Sequence, residues 1–314
     1  MTARRYTSTY VFLGCLIGLF LVGGVETGHA QYFGRNKVQY DQFDFRSFKT
    51  EHFEIFYYPE SEVAVQDAGR MAERWYARHT NTFVREFRVA KPLIFYANDA
   101  DFQQTNAISG SIGQGTGGVT ESLKERVVMP LTGLYADTDH VLGHELVHSF
   151  QYDIGLIEGD SMRFNLGLLP LWLIEGTAEY LSVGRVDAHT AMWMRDAAVR
   201  DDLPTIEDLT RGTKYFPYRY GQSYMAYIGG KYGDATVANI FKTGGRTGLD
   251  SAIVYTLGIS ADSLSTEWAE AIKAAYLPDA TGRTPADSVG SLIIGADNGG
   301  DMNIAPSVSP DGTQ

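Results

Sequence analysis

His144-Glu145-Leu146-Val147-His148 is an HExxH, and its chemistry follows from its spacing. On an α-helix, residues four apart share one face and lie about 6 Å apart along the axis. Two imidazoles so placed converge on one divalent ion, with Zn–N bonds of about 2.0–2.1 Å. Glu145 is turned about 100° from His144. It stands near the ion without being forced to bind it, the position of a base acting on a metal-activated water. Asp139 to Tyr152 reads as helix, with Asp137 or Thr138 able to cap it. Val141, Leu142, Leu146, Val147 and Phe150 are apolar, so this helix is expected to be buried. A surface helix with two solvated histidines does not fit that pattern, because buried imidazoles and carboxylates need partners.

A tetrahedral catalytic zinc needs a third protein ligand. The candidate lies in Leu171-Trp172-Leu173-Ile174-Glu175-Gly176-Thr177-Ala178-Glu179-Tyr180, a second helical run with Pro170 near its first turn. Glu175 and Glu179 stand one turn apart among apolar residues, where like charges repel. A cation beside Glu175 reverses the sign of that problem. Glu179 can then accept an N–H from a ligating histidine. His140 also lies on the ligand face, one turn before His144. It is an alternative third ligand, but its place near the helix start suits a supporting or capping role better.

HELVH followed by WLIEGTAEY resembles the gluzincin peptidases, especially the peptidase MA-like branch. The resemblance implies an α+β, zincin-like fold with a small mixed sheet, an active-site helix and a helical C-terminal subdomain. It implies Zn²⁺ held by His144, His148 and Glu175, with Glu145 as general base and Glu179 as the acidic residue one turn beyond the third ligand. Tyr218, in Tyr218-Arg219-Tyr220-Gly221, matches a Y-x-x-G whose tyrosine donates to the oxyanion; Tyr220 and Tyr215 are the substitutes. The 27 positions from His148 to Glu175 exceed the family's usual spacing, so a loop around Ile157 to Leu168 is expected. The implied function is hydrolysis of peptide bonds in a peptide or protein substrate by zinc-activated water. The alternative is a silent zinc-containing scaffold that presents a propeller to envelope partners.

Other elements must position these residues. His52 to Tyr58, Leu93 to Tyr96 and Arg126 to Met129 read as strands. After Pro59 and Ser61, the positions Ala68, Met71, Trp75, His79 and Phe83 recur at helical spacing, with His79 as a packed core histidine. Helices are also expected near Asp187–Val199, after the Tyr215–Ser223 stretch to about Tyr232, and near Asp234–Phe241, Leu249–Leu257 and Ala261–Tyr276. Gly113, Gly115 and Gly118 spell a GxGxxG, but Val119-Thr120-Glu121 leads into a strand where a dinucleotide site needs a helix. A hairpin or a substrate-facing edge strand is the better reading.

Arg4 and Arg5 precede an apolar run from Tyr10 to Val25 that ends at Gly28-His29-Ala30. That order is a secretory signal peptide over residues 1–30, and the run is shorter than the ~20 residues of a spanning helix. The expected location is therefore periplasmic or secreted, without stable membrane insertion once the signal is removed. Cys15 is the single cysteine and leaves with the signal, so packing and metal must stabilise the remainder. The peptidase domain is expected over 31–280 and a linker over 281–300. Residues 301–314, with APSVSPDGTQ, resemble a partial blade of a TolB-like β-propeller. Formal charge is -12 with no Lys/Arg block, which argues against a nucleic-acid partner.

Overall fold

The computed structural model describes residues 36–157, 164–284, 288–299 and 307–313. The expected signal peptide, the middle of the loop after Ile157 and half of the expected blade lie outside these residues. Within the expected blade, Pro310–Gly312 form a turn closed by Gly312 N–H donating to Ser309 O at 2.8 Å.

The fold is α+β. Five strands, β1 (Arg46–Lys49), β2 (Phe53–Tyr57), β3 (Lys91–Tyr96), β4 (Val119–Glu121) and β5 (Arg126–Pro130), form one sheet in the order β1-β2-β3-β5-β4. The sheet is mixed: β2, β3 and β5 run parallel, while β1 and β4 are antiparallel edges. Strand alternation divides the side chains between two faces. Phe53, Ile55, Leu93, Phe95, Val127 and Met129 enter the main core. Tyr96 and Val128 turn the other way, into a smaller cluster with Tyr58 and Phe102. Phe102 comes from the short helix α2 (Asp99–Gln103), which Asn98 caps by accepting from Asp101 N.

Helix α1 (Glu62–Phe83) crosses between β2 and β3, and it covers the main-core face together with α3 (Tyr135–Ile157). Val65, Ala68, Ala72, Trp75, His79 and Phe83 form the buried stripe of α1. His79 is the core residue expected from its spacing: fully buried, stacked on Trp75, with Nε2 3.1 Å from Gly143 O. Gly143 is required where the helices touch, since a Cβ there would stand 2.6 Å from Trp75 Cε2. Helix α3 starts earlier than its sequence suggests, and Thr138 Oγ1 meets Thr132 Oγ1 at 3.0 Å inside its first turn.

Beyond α3 the chain is helical: α4 (Leu171–Val183), α5 (Ala188–Val199), α6 (Ile206–Arg211), α7 (Pro217–Tyr232), α8 (Asp234–Thr247), α9 (Leu249–Leu257), α10 (Ala261–Ala280) and α11 (Ala296–Gly299). Trp268 of α10 anchors this half. It stacks on Tyr224 of α7 at 4.1 Å, and its Nε1 donates to Ser223 Oγ. Helices α4 and α7 cross at Gly176 and Gly221. A Cβ on Gly176 would lie 2.4 Å from Gly221 C, and one on Gly221 would lie 2.2 Å from Trp172 O. No other residue type permits that approach, and it sets how α7 lies over the Glu175 face of α4. Among the described residues, no helix is long and apolar enough to cross a membrane.

Candidate metal centre

Leu142, Leu146, Val147, Phe150 and Ile154 are buried on α3, so burial on the sheet fixes the rotation of the helix. His144 and His148 then face α4. His144 Nε2 and His148 Nε2 lie 3.1 Å apart, and each is close to Glu175 Oε2, at 3.3 and 3.2 Å. Among the described residues, these three form the one His/Cys/Asp/Glu group close enough to share an ion.

The triangle fits a metal. In a tetrahedron, ligand atoms are separated by about 1.6 times the bond length, so bonds of about 2.0–2.1 Å give edges of about 3.3–3.4 Å. The observed sides agree to within a few tenths of an ångström. Charge points the same way. Glu145, Glu175 and Glu179 surround the two imidazoles in a buried space, with little water to solvate them. Burial opposes a proton on His144, but contacts with Glu175 and Glu179 outweigh it and hold the ring's pKa up to about 10. Burial likewise pushes Glu175 up, yet His144 and His148 bring it down to about 2. The donor set thus calls for positive charge at the point where a divalent ion would sit.

The outer nitrogens of both rings are engaged. His148 Nδ1 lies 2.7 Å from Gln151 Oε1, and Gln151 Nε2 donates to Ile174 O at 3.1 Å. Gln151 therefore fixes His148 with Nε2 towards the triangle, and ties α3 to the turn that carries Glu175. His144 Nδ1 is 3.2 Å from Glu179 Oε1, an ion-pair distance off the line of a good hydrogen bond. Glu179 is thus placed beside the outer nitrogen of His144. Its other oxygen lies 3.0 Å from Arg219 Nη1, which also donates to Asp187 at 3.3 Å. His140 stays outside the triangle, with Nε2 3.7 Å from Glu179 Oε1. Its place is beside Glu179.

Glu145 shares a cleft with His144 and is hydrogen-bonded to β4. Thr120 Oγ1 lies 2.6 Å from Glu145 Oε2 and 2.9 Å from its carbonyl oxygen. A Cβ on Gly118 would stand 3.0 Å from Glu145 Oε1, so glycine is what leaves that oxygen its space. The GxGxxG stretch ends in β4, with no helix after it, and forms one wall of a cleft of about 450 Å³ that His144, Glu145 and Glu179 also line.

Tyr218 lines the opposite wall, its ring nearly parallel to that of His144 with centroids 6.0 Å apart. Burial, then the charge of and hydrogen bond to Glu175, push its phenol far above the ordinary tyrosine range. The two substitutes lie elsewhere: Tyr220 is buried against Trp193, and Tyr215 donates to Asp202 at 2.7 Å. Sequence reasoning missed Gln151, Thr120 and Arg219. Gln151 is three positions after His148 and so on its face, a signal that was available. Thr120 and Arg219 act across the fold and left no local trace.

No protein-family model matches the chain, and no curated protein matches it.

Proposed function

We propose that the chain is an exported zinc-dependent metallopeptidase of the gluzincin type, on a zincin-like fold, that hydrolyses peptide bonds. The observation that carries this reading is the triangle of His144 Nε2, His148 Nε2 and Glu175 Oε2, with Glu145 beside it in the same cleft and outside the ligand set. A structural zinc site needs no such neighbouring carboxylate. The likeness of HELVH and WLIEGTAEY to gluzincins supports the same reading.

His144, His148 and Glu175 would hold the ion. When bound, a divalent metal supplies Lewis acidity, polarising a carbonyl and lowering the pKa of a water towards about 7. Glu145 takes the proton of the attacking water at Oε1, the oxygen Thr120 leaves free, and passes it to the departing amine nitrogen. Tyr218 stays protonated under the pressure of burial and Glu175, so its hydroxyl donates to the oxyanion. Strand β4 pairs with β5 on one side only. Its open edge beside Glu145 can receive an extended peptide by backbone hydrogen bonding.

The chain from residue 31 should carry one zinc, cleave internally quenched peptides and lose that activity on chelation. Glu145→Gln should keep the zinc and lower turnover by about 10²–10⁴. Wild-type turnover in that variant sinks the base assignment. Stoichiometric zinc without cleavage across a broad peptide library points instead to the scaffold alternative.

A further inference from the structure

The glycine-rich stretch and the strand it enters both meet α3 at Glu145. Thr120 stands opposite Val127 in the β4–β5 register, and Val127 belongs to the main core. Opposite residues of an antiparallel pair share a face, so the Thr120 side chain is turned towards α3. There its Oγ1 lies 2.6 Å from Glu145 Oε2 and 2.9 Å from Glu145 O. Ser149 Oγ also donates to that carbonyl, at 3.3 Å, whereas Thr120 is the one donor to Oε2 among the described residues. A hydroxyl has a single proton to give, and the nearer, charged acceptor takes it. Gly118 meets the other side of the same carboxylate. A Cβ there would stand 2.9 Å from Glu145 Cγ and 3.0 Å from Oε1. One turn earlier on α3, a Cβ on Gly117 would lie 3.2 Å from Val141 Cγ2. The two glycines thus serve close approach to the helix.

We infer that Gly118 and Thr120 form a socket that orients the general base, Thr120 holding Oε2 and Gly118 leaving Oε1 its room. This rests on the peptidase reading above and gives the GxGxxG stretch a part in it. Both are positioning residues, which act on the reaction through Glu145. A carboxylate held at one oxygen presents the other in a fixed direction. Small displacements of a reacting group are costly in rate, so that direction matters. Strand β4 would offer substrate its backbone, so a change of the Thr120 side chain leaves peptide binding in place.

Thr120→Val keeps the shape of the side chain and removes its hydroxyl, whereas Thr120→Ser keeps the hydroxyl. In zinc-loaded protein, Thr120→Val should lower kcat about 10–100-fold with KM and zinc content unchanged. Thr120→Ser should recover most of that loss. Gly118→Ala should also lower kcat, because Glu145 must move to admit the methyl group. A second readout needs neither metal nor turnover. In urea with chelator, Thr120→Val should raise the unfolding constant about tenfold more in the wild-type background than beside Glu145→Ala. Absence of that coupling, or wild-type kcat in Thr120→Val, overturns the socket. Equal losses in the valine and serine variants overturn it too, since shape and not the hydroxyl is then at work. Coupling in a protein that cleaves no peptide upholds the socket as the holder of Glu145 and sinks the peptidase reading. Cleavage without coupling does the reverse.

Discussion

Helix α3 carries two buried charged clusters, and the chain treats them oppositely. Around Asp153 the charges balance internally. Asp153 Oδ1 lies 3.1 Å from Lys91 Nζ, its Oδ2 lies 2.7 Å from Arg85 Nε, and Lys91 also pairs with Glu125. Two cations meet two carboxylates, and β3 is tied to α3. Around His144 and His148, Glu175 and Glu179 contact the rings and Glu145 adds its charge, while Arg219, the cation beside Glu179, is shared with Asp187. Desolvated charge has to be matched. Where the chain supplies the match, the cluster is a tie; where it leaves a surplus, a bound cation would supply the missing charge. The difference between a structural ion pair and a candidate metal centre is thus a matter of local charge balance.

The sharpest way to break this contrast is to remove one ligand. Glu175→Ala should abolish stoichiometric zinc, and with it the rise in Tm that zinc confers on the wild-type protein. A variant that still bound one zinc, measured by metal analysis after gel filtration, would show that the triangle is not the site. Asp153→Ala attacks the balanced cluster and should cost about 3–5 kcal/mol, because Lys91 and Arg85 are left without their partner. Urea unfolding in the presence of chelator reads that loss, and zinc should not restore it.

His79 is a third buried polar group near α3, and it is neutral. Burial takes its pKa down from 6.5 to about 4, partly offset by the Gly143 carbonyl. The unfolded ring takes up a proton below pH 6.5 and the folded ring only near 4, so stability is whole above 6.5 and falls as pH drops towards 4. The loss approaches about 3 kcal/mol. His79→Leu should flatten that stretch of the stability curve by about one proton when both proteins are compared without metal; an unchanged slope removes His79 as its source. The smallest expected effect is at Gln151. Gln151→Ala frees His148 Nδ1 and should weaken zinc binding by about 10–100-fold while leaving stoichiometry intact at high zinc. Unchanged affinity in a competition titration would show that the ring needs no such orientation.

Much of the site was legible because it is local. HExxH and the Glu175/Glu179 pair each lie on one helix, where a period of 3.6 residues decides which side chains share a face. The same holds for the apolar stripe of α1 and for the central strands. Short elements such as β1 and α2 escaped, since four or five residues carry too little periodicity to stand out. The glycine-rich stretch could be denied a nucleotide from its following strand, but not assigned to Glu145, whose contact with Gly118 spans most of a hairpin and a helix.

Unaided, the sequence determined the donor types, their grouping on two helices and the buried character of both. It did not determine which buried carboxylates lacked a cation: Asp153 and Glu175 are alike as acidic residues in apolar helices, and only packing gives one of them Lys91 and Arg85. Tertiary structure also decided that Gly176 and Gly221 bring α7 against α4, which sets Tyr218 beside His144. Spacing along a helix fixes angles about one axis, whereas charge balance and reach depend on distances between axes, and those arise when the whole core closes.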